Sequence, residues 1–303
     1  MLFSILIPTY NNASTIGKTI ESALCQDYKG EYEIVIVNNA STDQTLDIIN
    51  SYNDSKIKCI TNTSTVHMYE NHNICIRHSQ GKYVVFCHAD DLLVPEALKI
   101  LAKKIEERLY PQNYIIWGHS LFNDFSQSMQ VYDTMLSYNT TFSGVTAKKI
   151  FLGDGLTPSG TCYSKKIFDN IGCFPVIEGT CDIDWIFGIV ASFAGCEFEM
   201  LDRMLFYRTE SSTYGDSMKS EVREKMLKTA VLALKEHLSD AQMQEVYALW
   251  SEYRYFMLDY LFYKPETIEE RKQRYIKEIK ARPWSIRKII RLLTLIMNKQ
   301  QSM

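Results

Sequence analysis

Short apolar runs recur through the first third of the chain, each closed by a polar or turn-forming residue and followed by a stretch of helical periodicity. Phe3–Ile7 is apolar apart from Ser4 and stops at Pro8, which predicts a buried strand. From about Thr15, the residues Ile16, Ile20, Ala23 and Leu24 share one helical face. Tyr32–Val37 predicts a second strand. Ser41-Thr42-Asp43-Gln44 has the form of a capping box, opening a helix that carries Leu46 and Ile49. Ile57–Ile60 predicts a third strand, Tyr69–His78 a helix and Lys82–Cys87 a fourth strand. A helix from Pro95 then carries Leu98, Leu101 and Ile105 on one face. Strands and helices alternating at this spacing imply right-handed βαβ crossovers and an α/β fold with a mainly parallel sheet flanked by helices.

After Tyr110-Pro111 the pattern loosens, leaving a short strand at Tyr114–Trp117 and a helix near Asp182–Ala194. From about Asp216 the chain is nearly free of Gly and Pro and reads as helices at Glu221–Leu238, Ala241–Tyr263, Pro265–Ala281 and Ser285–Met297. The expected layout is an α/β nucleotide-binding domain over 1–213 and an α-helical C-terminal extension over 214–303.

Composition narrows the class without naming a partner. With 46% hydrophobic and 23% charged residues and a formal charge of -3, the chain is ordinary globular protein rather than disordered or nucleic-acid-like. Its eight cysteines include no Cys-x-x-Cys pair and sit mostly in apolar runs, so they read as reduced core thiols. The first residues lack a basic segment and a long apolar stretch, and no run approaches the length of a membrane span; both point to the cytoplasm. From Arg271 to Met303, however, ten Lys and Arg face a single acid, Glu278.

The chemistry concentrates in Tyr83-Val84-Val85-Phe86-Cys87-His88-Ala89-Asp90-Asp91, an apolar run ending in two adjacent carboxylates. If the run is a strand, both emerge at its C-terminal end, where open α/β sheets bind ligands. Two like charges side by side repel, and a divalent cation bridging a phosphorylated ligand relieves them. Acids also commonly cap a following helix, so two readings stand on this stretch alone.

Further stretches resemble the family 2 glycosyltransferases, which have the Rossmann-like GT-A fold and use nucleotide-sugar donors. The resemblance covers roughly residues 3 to 213. It begins at Ser4-Ile5-Leu6-Ile7-Pro8-Thr9-Tyr10-Asn11, where the family strand ends in Pro-Thr-Tyr-Asn and lines the nucleoside pocket, and it implies that role for Pro8, Thr9 and Tyr10. It continues through Ser22 and Gln26 to Val37-Asn38-Asn39-Ala40-Ser41-Thr42-Asp43, where Val-Asp-Asp-Gly-Ser-Thr-Asp is usual and the second Asp contacts the base. Asn39 stands there instead, an amide able to offer a donor and an acceptor to a pyrimidine edge. Asn73 matches a family Asn preceding the Gly-Lys-Tyr strand, either holding the donor-site loop or bonding helix to loop.

Phe86-Cys87-His88-Ala89-Asp90-Asp91 resembles Leu-Asp-Ala-Asp-Asp with His88 replacing the first Asp. The resemblance implies that Asp90 bonds the ribose or donor sugar and that Asp91 binds Mg²⁺ or Mn²⁺ bridging the diphosphate. His88 is either a further ligand or a hydrogen-bonded strand-end histidine. Cys181-Asp182-Ile183-Asp184-Trp185 resembles Glu-Asp-x-Asp-Leu/Trp, which makes Asp182 the general base of an inverting transfer; without the upstream motifs, Asp182 and Asp184 read as helix-start acids. Tyr207-Arg208-Thr209-Glu210 resembles Tyr-Arg-x-His, with Arg208 a charge partner for the diphosphate and Glu210 a departure.

The implied partners are a nucleotide-sugar donor, UDP-linked in the first place, and a glycan or lipid-linked glycan acceptor of surface polysaccharide synthesis. In Trp284–Met297 an apolar stripe of Ile286, Ile289, Ile290 and Leu293 is flanked by Arg287, Lys288 and Arg291. That pattern suits peripheral contact with the inner face of the plasma membrane, or equally packing on protein; an oligomer is compatible with it. No nucleic-acid recognition module accompanies the basic tail. A sugar nucleotidyltransferase would need a Gly-rich loop after the first strand, which Pro8–Gly17 lacks, and a non-catalytic nucleotide-sugar-binding module is the alternative suggested by the replaced motif residues.

Overall fold

The structure, a computed structural model, describes residues 1–122, 139–153, 155–208 and 220–253, together with Gln273 and Ile276. The chain forms two compact units, Met1–Leu258 and Asp259–Met303. The expected 213/214 boundary and the helices expected at Pro265–Ala281 and Ser285–Met297 fall outside the described residues or nearly so.

In chain order the first half comprises β1 (Phe3–Thr9), α1 (Ile16–Leu24), β2 (Tyr32–Asn38), α2 (Thr45–Ser51), β3 (Ile57–Thr61), α3 (Met68–His78), β4 (Tyr83–Phe86), β5 (Asp91–Leu93) and α4 (Ala97–Glu107). The second half comprises β6 (Tyr114–Phe122), β7 (Thr141–Phe142), α5 (Gly144–Gly153), β8 (Cys162–Ser164), α6 (Lys166–Ile171), α7 (Ile183–Phe193), β9 (Glu197–Arg208), α8 (Ser220–His237) and α9 (Asp240–Tyr253). The strands join in one sheet in the order β3-β2-β1-β4-β8-β6-β9-β5, with β7 paired to β9. β3, β2, β1 and β4 are parallel, as the alternation predicts. Beyond β4 the sheet is mixed, since β8 runs antiparallel to both β4 and β6.

β1 and β2 are buried along their whole length because helices cover both faces, which explains their continuous apolar sequences. Ile5, Ile7, Ile34, Ile36 and Val85 pack with Ile16, Ile20, Leu98, Leu101 and Ile105 from α1 and α4. Phe86, on the opposite face, meets His72 of α3 and Phe174. A proline in a central strand normally costs a ladder bond. Here the β1–β4 ladder ends at the Leu6–Phe86 pair, so Pro8, two residues later, lies beyond its last pair.

The capping box is not formed. α2 begins at Thr45, its N-cap residue Gln44 makes no side-chain cap bond, and Asp43 instead accepts from Thr45 and from Ala13 in the loop after β1. The Asp43 carboxylate thus ties two loops together. Burial works to raise its pKa, but the bonds from Thr45 and Ala13 outweigh it and hold the group below the usual carboxylate value.

β4 is extended at its end by the segment before β8: Phe86 bridges Ser159, and Gly160 donates to the Phe86 carbonyl. Gly160 has φ +75°, and a Cβ there would stand 2.0 Å from the Phe206 ring. Gly160→Ala is therefore expected to destabilise the fold by about 2–4 kcal/mol, from left-handed backbone strain and overpacking together, read as a lower denaturation midpoint in urea.

Candidate functional site

The two carboxylates lie where β4 leaves the sheet. His88 to Asp91 forms a turn in which the Asp91 N–H donates to the His88 carbonyl at 2.9 Å. Asp91 then opens β5, opposite Arg208 at the end of β9. One ligand atom each from His88, Asp90 and Asp91 lie within 4.8 Å of one another. Neighbouring elements fix this corner. Thr19 of α1 donates to the Ala89 carbonyl at 2.9 Å, and the His88 N–H donates to Ser159 Oγ at 3.2 Å. Ser22 Oγ accepts from the Leu93 N–H, while Gln26 donates to the Val94 carbonyl and accepts from the Leu98 N–H. Ser22 and Gln26 are thus clamps that hold β5 and the start of α4 against α1.

His88 is also held from below. Its Nε2 lies 3.0 Å from His72 Nε2, and His72 Nδ1 lies 2.8 Å from the Met68 carbonyl. The two rings meet edge to face with centroids 5.1 Å apart. Burial, with His88 and His67 nearby, pushes the His72 pKa down to about 3. Burial also lowers that of His88, with Asp90 opposing the shift and Arg208 adding to it. Burial, with Asp91 and Asp90 adding to it, pushes the Cys87 thiol well above the ordinary thiol value.

At the end of β1, Thr9 Oγ1 donates to Asn12 Oδ1 at 3.0 Å, and the Tyr10 N–H donates to the same oxygen. Pro8 and Thr9 are buried, whereas Tyr10 is exposed at the loop's surface. Asn39, next to them, is buried and largely committed. Its carbonyl accepts from the Val66 N–H at 2.8 Å and from Asn62, and its amide donates to the Val66 carbonyl at 2.9 Å. It therefore does not offer a pyrimidine the free donor and acceptor pair that its residue type suggests; one amide N–H is left.

Asp182 is buried at the N-cap position of α7, yet its side chain makes no capping bond. The Asp182 N–H donates to Thr180 Oγ1 at 3.1 Å, and Thr180 Oγ1 donates to the carboxylate at 3.3 Å. Asp184 accepts from the Trp185 N–H and faces Gly155, where a Cβ would stand 3.0 Å from Asp184 Oδ2. Asn73 is fully engaged with one peptide unit: it donates to the Phe174 carbonyl at 2.8 Å and accepts from the Phe174 N–H at 3.0 Å. It holds the segment leading to Asp182, and Tyr69 completes the link by donating to the Cys181 carbonyl.

The family model for glycosyl transferase family 2 matches residues 4–170, more than half of the chain. The chain belongs to glycosyl transferase family 2. It is 36% identical over 142 residues to the UDP-Glc:alpha-D-GlcNAc-diphosphoundecaprenol beta-1,3-glucosyltransferase WfaP of Escherichia coli, an alignment covering 45% of this chain and 56% of WfaP. It is 34% identical over 111 residues to the poly(ribitol-phosphate) beta-N-acetylglucosaminyltransferase TarS of Staphylococcus aureus, covering 35% of this chain and 19% of TarS. The crystal structure of TarS 1–349 superposes with a TM-score of 0.63 at 25% identity, covering 91% of this chain and 78% of that one. A TarS 1–349 complex with UDP-GlcNAc gives 0.64 at 23% identity, covering 91% and 79%. The sheet and its flanking helices are thus the GT-A fold. The chain spans about half the length of WfaP and a fifth of TarS.

Within this family-2 frame Pro8–Tyr10, Asn39 and Asp90–Asp91 lie at or just after the C-terminal ends of β1, β2 and β4, but several residues that build the candidate site carry no family motif in the sequence. His72, Ser159 and Phe174 are examples, and the only trace of their role is that His72 and Asn73 lie on one helix three and four residues after Tyr69. The donor set of one imidazole and two carboxylates suits a divalent cation. Ala40, where the family has Gly, adopts φ 54° in the turn between Asn38 and Ser41. Ala40→Gly is expected to leave the fold intact and raise stability by about 0.5–1 kcal/mol, the left-handed strain relieved less the added chain entropy, measured as a higher melting temperature.

Proposed function

We propose that the chain is an inverting glycosyltransferase that moves one sugar from a nucleotide-diphosphate donor, UDP-linked in the first place, to a hydroxyl of a glycan or lipid-linked glycan in surface polysaccharide synthesis. The observation that carries this reading is a buried carboxylate at the start of α7 that does not cap its own helix, hung from the same helix, α3, as the His88–Asp91 corner. The names of WfaP, a UDP-glucose-dependent enzyme acting on a diphosphoundecaprenol-linked sugar, and of TarS support the donor and acceptor classes.

In this reading Pro8, Thr9 and Tyr10 line the nucleoside pocket, with the exposed Tyr10 ring available to stack on the base. Asn39 contributes its one remaining N–H and fixes the Val66 segment beside it. Asp90 takes a hydroxyl of the ribose or donor sugar, and Arg208 offsets diphosphate charge. Asp91 holds Mg²⁺ or Mn²⁺, which supplies positive charge to the departing diphosphate. Asp182 accepts the proton of the acceptor hydroxyl as that oxygen bonds to the anomeric carbon; the bond from that carbon to the diphosphate breaks on the opposite face, and the nucleoside diphosphate leaves with the electron pair. Asn73 serves as a positioning residue through its grip on Phe174.

The transferase unit is taken as 1–213 with a helical extension over 214–303. α8 and α9 belong with the first compact unit, and Lys148 of α5 pairs with Glu245 of α9 at 2.7 Å. Among the described residues no helix is long and apolar enough to cross a membrane. Trp284–Met297, outside the described residues, is the candidate for peripheral contact with the inner membrane face, placing the enzyme in the cytoplasm or on that surface.

Two variants test the reading. Asp91→Ala is expected to abolish the metal-dependent rise in melting temperature given by one of UDP, dTDP, GDP or CMP or their sugar conjugates. Asp182→Asn is expected to keep that rise while slowing sugar transfer, or donor hydrolysis, by about 10²–10⁴-fold. Donor binding by wild type with no turnover of the sugar conjugate would favour the non-catalytic binding module instead.

A further inference from the structure

The histidine pair at the corner departs from the Asp of the family pattern in a way that the ring geometry makes specific. The Met68 carbonyl can only accept, so His72 carries its proton on Nδ1 and presents a lone pair on Nε2. The atom facing that lone pair at 3.0 Å, His88 Nε2, must then be the donor. A neutral His88 protonated on Nε2 has its free lone pair on Nδ1, in the residue that clusters with Asp90 and Asp91. His72 is buried and His88 half-buried. The His88 ring is further fixed by edge-to-face contact with His72 and by the backbone bond to Ser159. Metal-bound histidines are typically oriented in this manner, with the non-ligating N–H given to a fixed acceptor.

We infer that His88 Nδ1 is a nitrogen ligand of the donor-site cation beside Asp91, that His72 positions it by dictating its tautomer, and that the resulting nitrogen and oxygen set selects Mn²⁺ over Mg²⁺. This rests on the transferase reading, which brings the cation and diphosphate to the corner. Mg²⁺ holds to an all-oxygen octahedral shell and sheds water reluctantly, whereas imidazole favours the transition ions. Exchanging a carboxylate for a neutral ring also removes a negative charge, which weakens a hard, ionically bound cation.

The test uses the full chain with Mn²⁺ and UDP, dTDP, GDP or CMP, read by pulsed electron paramagnetic resonance and by thermal shift in Mn²⁺ or Mg²⁺ titrations. Wild type is expected to show a directly bound ¹⁴N coupling on Mn²⁺ and to need about tenfold less Mn²⁺ than Mg²⁺ for the same nucleotide-dependent stabilisation, beyond the preference of the free nucleotide. His88→Asp, which restores the family residue, is expected to lose the coupling and the excess preference. His88→Gln is expected to lose the coupling, with its ligand-free melting temperature reporting the fold. His72→Phe keeps a ring in place but removes the acceptor, and is expected to weaken Mn²⁺ binding by about 10–100-fold and alter the coupling. Nucleotide and Mn²⁺ binding without nitrogen coupling, and with the same ion preference in His88→Asp, would overturn this inference and leave the transferase reading standing. No nucleotide-dependent stabilisation by either ion would overturn both.

Discussion

Where β4 ends, three groups that resist being together are brought within 4.8 Å: a half-buried imidazole and two adjacent carboxylates, one of them on a residue only 5% exposed. Left alone, such a corner would open toward water, because like charges repel and buried polar groups are costly when unpaired. Its geometry persists because every backbone segment around it is anchored from another element. α1 takes the Ala89 carbonyl through Thr19 and the following strand through Ser22 and Gln26, and the loop before β8 takes the His88 N–H. Each bond contributes on the order of 1 kcal/mol, but together they leave the corner no alternative path. Sheet order follows from the same constraint: β5 can pair with β9 only if the chain turns sharply at His88, and that pairing carries Arg208 to Asp91.

The second dependence runs through α3. Tyr69, His72 and Asn73 share one face of this helix, at spacings of three and four residues. One reaches the Cys181 carbonyl, one reaches His88 and one clips the Phe174 peptide. The carboxylate that would activate an acceptor and the corner that would hold a donor are therefore set by a single rigid element. Phe174 reinforces it by packing on His72, Phe86 and Phe187, the last at 4.6 Å between centroids. A reaction needing two substrates aligned within a fraction of an ångström benefits from that economy.

How legible this was varies with how local the cause is. β1, β2 and β4 declare themselves because both faces are buried and their sequences are continuously apolar. β9 does not: Glu197, Glu199, Met200, Leu201 and Asp202 have no strand character, and the segment is a strand because β6, β7 and β5 all pair with it. Glu199 is tolerated there, fully buried, because Tyr114 donates to it at 2.6 Å and Arg108 pairs with it at 3.0 Å. β5, at three residues, is too short for any periodicity. Ser41 to Gln44 satisfied a capping pattern locally, yet Asp43 serves a contact with Ala13 thirty positions earlier. In the candidate site, Asp90 and Asp91 stand out by type and by their place after an apolar run, and Asp182 through the family resemblance, while the groups that hold them in place lie up to about a hundred residues away.

The departures from the family pattern are not equivalent once their surroundings are compared. Asn38, Asn39, His88 and Cys181 each place a neutral group where a carboxylate is usual. On the proposed reading each such exchange lessens the negative charge around a bound diphosphate, and unit charges 5 Å apart repel by about 3 kcal/mol at an effective dielectric of 20. At Asn39 the lost charge was exchanged for rigidity, since its amide is spent on Val66 and Asn62 inside the protein. At His88 the outcome is the reverse. Its Nε2 is spent on His72, and the proton this requires there leaves a lone pair on Nδ1, in a residue grouped with Asp90 and Asp91. The first exchange removes charge and leaves the ligand side a single N–H, whereas the second removes only charge. On the proposed reading the capacity to hold a ligand is thereby concentrated at His88, Asp90 and Asp91, after the C-terminal end of β4.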